Sequence, residues 1–251
     1  EDIFNFTPGL RYFLLVCQIF LGDFYYLYFF TLFFIPKVVY KFIKIQFGKK
    51  IGYIVILSFL IFPILHHLGF SYYQFIRHAY RLYPEPLGYM FFIAGLSIFF
   101  TDFEKNFIKM NLLFALSVII RPNLILSIIF IVLLKMWKEK INILEIKNLF
   151  FIPFIGLIYL FPLFHNLYFG DSFTLFTSYG QKMLSFAELH PDDDPRYDKA
   201  ALGLNFYLNK ILSINFLFFL LIFIPKLNFY LKTILLSQYL TLFYFDENGR
   251  Y

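Results

Sequence analysis

Apolar stretches recur along the chain, parted by short clusters of lysine, arginine and acidic residues. A bilayer core takes about 20 helical residues, fewer where the ends are buried in protein. Stretches that fit run over 24–40, 51–70, 86–100, 149–165, 211–225 and 227–244. The interval 111–137 is largely apolar, broken by Arg121-Pro122-Asn123 at its middle. It reads as two short helices of about 11 and 14 residues, roughly 16 and 21 Å long, or as one long helix kinked at Pro122. The choice sets the sidedness of everything that follows.

Lysine density decides it. Lysine excess marks cytoplasmic loops, and 37–50 holds five lysines while 135–147 holds four. Both lie on one side only if the middle interval crosses twice. The expected fold is therefore all-α, a polytopic transmembrane bundle of about eight spans with both ends outside and short amphipathic helices in the outer loops. The chain reads as one transmembrane domain. An outer loop with a surface helix (1–22) precedes a helical core (24–165), a second outer loop (166–210) and C-terminal spans (211–244). Its ends, Glu1 and Tyr251, read as those of an excerpt from a longer protein.

Composition agrees with this class. Hydrophobic residues make up 60% of the chain and charged ones 15%, against about 25% charged in an average soluble domain. That excludes a disordered chain, a coiled coil and a small disulfide scaffold. A single cysteine, Cys17, allows no internal disulfide and no cysteine metal site. The net charge of +6 is spread over several segments, which argues against nucleic acid as a partner. The 40 Phe and 20 Tyr fit an AT-rich genome and carry no functional weight by themselves.

With that parity thirteen lysines and no arginine fall inside, while Arg11, Arg77, Arg81, Arg121, Arg196 and Arg250 all fall outside. His66, His67, His78, His165 and His190 lie on or beside the outer face as well. Both cations satisfy the positive-inside rule, but only arginine offers a planar fork that grips phosphate or carboxylate with two hydrogen bonds. An outer face that keeps the arginines points to an anion there, with interfacial anchoring as the alternative. Arg121 stands out because neither flanking helix crosses the full hydrocarbon core. Their junction should line a cavity below the surface, since non-helical backbone is not tolerated against lipid. In the single-helix alternative Arg121 pairs with a core acid.

Arg77 and Arg81 are four residues apart and share a face if 70–86 contains a short surface helix, with His78 beside them. Glu85, between Pro84 and Pro86, is placed to act as a base, a metal ligand or a partner for Arg121, or is simply a helix N-terminal acid. Asp192, Asp193, Asp194 and Asp198 could hold a divalent cation, magnesium or manganese among them, or form a solvated acidic turn. No phosphate-cradling glycine loop, nucleophile elbow or zinc helix motif occurs.

Four stretches resemble the GT-C superfamily of integral-membrane glycosyltransferases. They are 1–22, which reads Glu1-Asp-Ile-Phe-Asn-Phe-Thr-Pro-Gly-Leu-Arg-Tyr-Phe13 and then an apolar run leading into Phe20-Leu-Gly-Asp23, with Tyr83-Pro-Glu-Pro-Leu87, Ile120-Arg-Pro-Asn123 and Asn166-Leu-Tyr-Phe-Gly170. The resemblance implies transfer of a sugar from a polyprenyl-phosphate carrier, a lipid-linked donor, to a lipid, glycan or protein acceptor on the outer face of a membrane, expected to be the bacterial inner membrane. It implies that Glu1 or Asp2, an acidic residue of the first outer loop, acts as base or metal ligand. Arg11, Arg77, His78, Arg81 and Arg121 would then bind the carrier phosphate. A sugar already activated on a lipid needs no nucleotide-binding domain. A transporter or lipid flippase is the rival class, although it usually shows broken helices in matching halves. A glycan polymerase or ligase would share the outer loop and the arginines.

Overall fold

The computed structural model describes residues 8–23, 25, 29, 32–61, 71–81, 83–140, 151–170 and 220–244. Among these residues every regular element is helical. The chain divides into two compact units, Glu1–Leu124 with Lys140–Leu175, and Ile125–Glu139 with Phe176–Tyr251.

In the first unit α1 covers Pro8–Leu21, α2 Phe34–Phe47, α3 Lys49–Ile61, α4 Tyr72–Tyr80, α5 Glu85–Thr101 and α6 Phe107–Ile120, with α8 at Ile152–Gly170. The second unit contains α7 at Ile125–Lys138 and α9 at Phe229–Tyr244. A 3₁₀ turn at Pro122–Leu124 follows α6.

Most of the lysine-rich interval 37–50 is helical. Helix α2 continues through it to Phe47, with Lys37, Lys41 and Lys44 exposed along one face, and Lys49 and Lys50 open α3. Lysine is a good helix former, and its spacing here of four and three residues keeps every ammonium on the solvent side. Gly48, at φ +86°, reverses the chain, a conformation glycine adopts without Cβ strain. Gly52 of α3 then packs against Tyr40 and Lys44 of α2. A cluster of Leu10, Leu32, Ile35, Val39, Phe59, Ala79, Leu87 and Ile120 forms the core that joins α1, α2, α3, α4, α5 and α6.

Helices α5 and α6 make the tightest pair. A Cβ on Gly95 would lie 2.6 Å from the Phe114 ring, so glycine is what lets that ring press against the α5 backbone. Phe99, Phe103 and Phe107 stack edge to face at 5.5 Å spacings around the turn between the two helices. Met110, Phe114, Ala115 and Val118 are fully buried.

Elsewhere the boundaries differ from expectation in ways the side chains explain. The fourth stretch begins at Ile152 and continues through His165 to Gly170, past the expected end at 165. His165 and Asn166 are buried, so their polarity does not mark a loop. The start of the expected outer loop at 166 is therefore helical, and 171–210 lies outside the described residues. The described part of 211–225 holds a 3₁₀ turn at Leu221–Phe223. The break at 121–123 is real, with helices of 14 residues on both sides.

One helix among the described residues, α8, is long and apolar enough over Ile152–Phe169 to cross a membrane, and only 22% of that stretch is buried. Helices α1, α5 and α6 are apolar but shorter.

Candidate functional site

The helix break at Arg121 follows from its sequence. A residue before proline is pushed out of the helical region, and Arg121 sits at φ −140°, ψ 86°. Its N–H still caps α6 by donating to the Ser117 carbonyl at 2.7 Å. Pro122 starts the 3₁₀ turn, where the missing N–H is of no consequence. The extended conformation at Arg121 turns its side chain toward α5.

That side chain is 95% buried, and three residues of α5 hold it. Glu85 Oε1 accepts from Arg121 Nη1 at 2.7 Å. Tyr89 presents its ring 4.9 Å from the guanidinium carbon, within cation–π range. Gly88 lies between them, and a Cβ there would fall 3.0 Å from the Arg121 Cβ and 3.7 Å from its Cδ. Positions 85, 88 and 89 are three and four apart, so they form one face of α5. Pro84 and Pro86 place Glu85 in the first turn of the helix. A carboxylate is favoured there by the helix dipole. Among the described residues Glu85 Oε2 is buried without a hydrogen-bond partner.

Helix α4 supplies the rest of the charge. Nine residues long and strongly amphipathic, it carries Arg77, exposed, and His78, half-buried, with Arg81 exposed at its C-terminal cap. The His78 ring lies 2.7 Å from the Gln74 amide nitrogen, 5.5 Å from the Tyr83 ring centre, and its carbonyl accepts from the Tyr83 N–H. Burial pushes the His78 pKa down, Glu85 pulls it up, and Arg121, Arg77 and Arg81 push it down further. Glu85, Arg121, Arg77 and Arg81 therefore all lie close enough to act on one imidazole. The cluster carries three arginines and one carboxylate, and burial favours the neutral form of its histidine.

An apolar groove of about 490 Å³ opens between α1, α5, α6 and α8. Its walls include Gly9, Tyr12, Phe91, Ile120, Leu157 and Phe161. Ile120 immediately precedes Arg121, so the groove and the buried cation share one end of α6. Helix α1 reaches that end because Gly9 packs directly on Ile119; a Cβ there would meet the Ile119 carbonyl oxygen at 2.8 Å.

The structure thus brings together Glu85, Arg121, His78, Arg77 and Arg81. Arg11 is half-buried on α1, and no described contact joins it to Glu85 or Arg121. Glu1, Asp2 and the acidic run 192–198 lie outside the described residues. Of the four roles open to Glu85, the geometry shows two at once, partner of Arg121 and acid in the first turn of α5. A metal ion fits poorly at a carboxylate already neutralised at 2.7 Å by a guanidinium. Among the described residues no group of three or more His, Cys, Asp or Glu could hold a metal ion. Gly88 and Tyr89 escaped the sequence reading, although their spacing from Glu85 was a usable signal.

No protein-family model, curated protein or solved structure matches the chain.

Proposed function

We propose that this chain belongs to a multi-pass integral-membrane glycosyltransferase that moves a sugar from a polyprenyl-phosphate carrier to a lipid, glycan or protein acceptor on the outer face. The observation that carries the reading is Arg121, a buried arginine at a helix break, clamped by α5, with an all-apolar groove beside it. A buried arginine in apolar surroundings marks a functional site by default. A phosphate on a hydrocarbon chain needs both halves of this arrangement.

In this reading the groove takes the isoprenoid chain and the cationic cluster takes the phosphate. The acceptor hydroxyl oxygen bonds to the anomeric carbon as the bond from that carbon to the phosphate oxygen breaks. The phosphate leaves with the electron pair, and the hydroxyl proton passes to a carboxylate base. Arg121, Arg77 and Arg81 offset charge growing on the leaving phosphate, which lowers the barrier only insofar as they bind it more tightly in the transition state. Glu85 holds Arg121 in place. The base is then an acid of the first outer loop, Glu1 or Asp2 being the candidates, with a divalent cation as an optional helper there.

The membrane setting is supported by apolar side chains left exposed on helices. On α8 these include Phe154, Leu157, Leu160, Phe164 and Leu167, and on α7 Leu126, Ile129, Phe130 and Leu133. Monomeric soluble proteins rarely leave such continuous stripes in water. About eight spans, in a bacterial inner membrane, is the arrangement proposed.

The test is release of polyprenyl phosphate from a panel of polyprenyl-phosphate sugars by the full-length protein in lipid nanodiscs. Arg121→Lys keeps the charge and loses the fork. It is expected to slow release about 100-fold, the typical effect of removing one transition-state donor, while the protein stays inserted. Release at the wild-type rate by this variant would contradict the phosphate role.

A further inference from the structure

Helix α8 carries two buried polar residues, His165 and Asn166, at 8% and 2% exposure, in an otherwise apolar stretch. The cationic cluster uses neither. His165 Nδ1 lies 3.3 Å from Asn166 Oδ1. Around the imidazole stand three aromatic rings, Tyr12 at 5.7 Å, Phe161 at 6.0 Å and Phe169 at 4.8 Å between centres. Tyr12 and Phe161 themselves meet edge to face at 5.6 Å.

Two of those rings, Tyr12 and Phe161, also line the apolar groove. The aromatic nest therefore shares two of its rings with the wall of the groove. Helix α1 ties this nest to the arginine end, because Gly9 rests on Ile119 and Tyr12, one turn later, rests on His165. Ile119 is two residues from Arg121. Apolar channel, buried cation and aromatic-lined polar pair thus lie within a few helical turns of one another.

Each part selects a different piece of one molecule. Flat aromatic rings pack against the C–H faces of a sugar ring, while imidazole and carboxamide groups exchange hydrogen bonds with hydroxyls in either direction. Water in their place would explain a polar pair, but it would not call for three rings. We infer that His165, Asn166, Tyr12 and Phe169 form the subsite for the saccharide ring of the lipid whose chain lies in the groove. This rests on the glycosyltransferase reading and adds which residues distinguish the loaded carrier from the spent one. Sugar-bearing lipid should bind more tightly than bare lipid phosphate, and the difference should reside in His165 and Asn166.

The measurement is binding of farnesyl phosphate, farnesyl-phosphoryl mannose and farnesyl-phosphoryl arabinose to the full-length protein in nanodiscs. Wild type should bind at least one of the sugar lipids about tenfold more tightly than farnesyl phosphate, the worth of one or two hydrogen bonds. His165→Phe keeps the ring packing and removes the nitrogens, so the helix should stay folded while the preference falls to about one. Asn166→Leu should act the same way, giving a second route if either variant proves unstable. Equal binding of all three lipids by wild type, or a preference that survives both substitutions, overturns the subsite. Failure to bind any of the three lipids would overturn the glycosyltransferase reading instead.

Discussion

Among the described residues, the Ser127 network and the Arg121 cluster both bury polar side chains among apolar helices, and they do so in different ways. In the second unit Gln238 donates to the Ser127 hydroxyl at 2.6 Å, Ser127 lies 2.6 Å from the Ser237 hydroxyl, and Ser237 donates to the Ile234 carbonyl at 2.9 Å. Because Ser237 spends its proton on the backbone, Ser127 must be the donor to Ser237. The chain of bonds is uncharged, ends on a carbonyl and leaves no net charge, as expected of polar contacts that fasten α7 to α9. In the first unit the Arg121 cluster has three arginines and one carboxylate within electrostatic reach of one imidazole, and it keeps a buried carboxylate oxygen without a partner among the described residues. The first arrangement is closed, and the second has capacity left over. Closed polar networks are glue; the proposed function makes the net-charged one beside the groove the site.

Substitutions should separate the two kinds. The largest effect on stability is expected at Glu85. Glu85→Gln removes the charge that compensates a guanidinium 95% buried, and breaking such a pair costs about 3–5 kcal/mol. Its thermal midpoint in detergent should fall accordingly; an unchanged midpoint would mean that Arg121 does not depend on Glu85. Next is Gly88→Ala. The added methyl would sit 3.0 Å from the Arg121 Cβ, and the crowding should cost about 1–3 kcal/mol. It should also weaken lipid-phosphate binding, because Arg121 must move.

Ser127→Ala should cost about 1 kcal/mol, the worth of a hydrogen bond between membrane helices. It should leave lipid-phosphate binding as it was. A binding loss there would place the second unit in the site and erase the contrast. The smallest effect is on pH. The folded His78 pKa lies below the ordinary 6.5, chiefly through burial and then through the arginines. The unfolded chain therefore takes up the proton first. Stability should be level above about pH 6.5 and fall as the pH drops below it, levelling again under the folded pKa. His78→Gln should flatten that slope in a thermal-denaturation series.

How much of this was legible in the sequence depended on whether the cause was local. Pro122 after Arg121 breaks α6 through a steric clash between neighbours, and Pro84-Glu85-Pro86 starts α5 for reasons equally local. Both could be read from adjacent residues. The helix through Lys37, Lys41 and Lys44 could not, because a polar composition suggests a loop although lysine propagates a helix well. The extension of α8 past His165 was hidden for the opposite reason. Its polar residues are buried by Tyr12, which lies more than 150 residues away in sequence. The choice of Glu85 as partner of Arg121 joins residues 36 positions apart, and only packing could settle it. Gly88 and Tyr89 lay in between, since their spacing from Glu85 could be read but their target could not.

The central claim is that a lipid phosphate sits at Arg121 with its hydrocarbon chain in the groove of α1, α5, α6 and α8. The most direct measurement is photocrosslinking of the full-length protein with a polyprenyl phosphate bearing a diazirine a few carbons from the phosphate, with adducts mapped by mass spectrometry. Adducts on Tyr12, Phe91, Leu116 or Phe161, competed away by unlabelled polyprenyl phosphate and lost in Arg121→Lys, are the expected result. Adducts spread over the exposed faces of α7 and α8, indifferent to competitor and to Arg121→Lys, would contradict it.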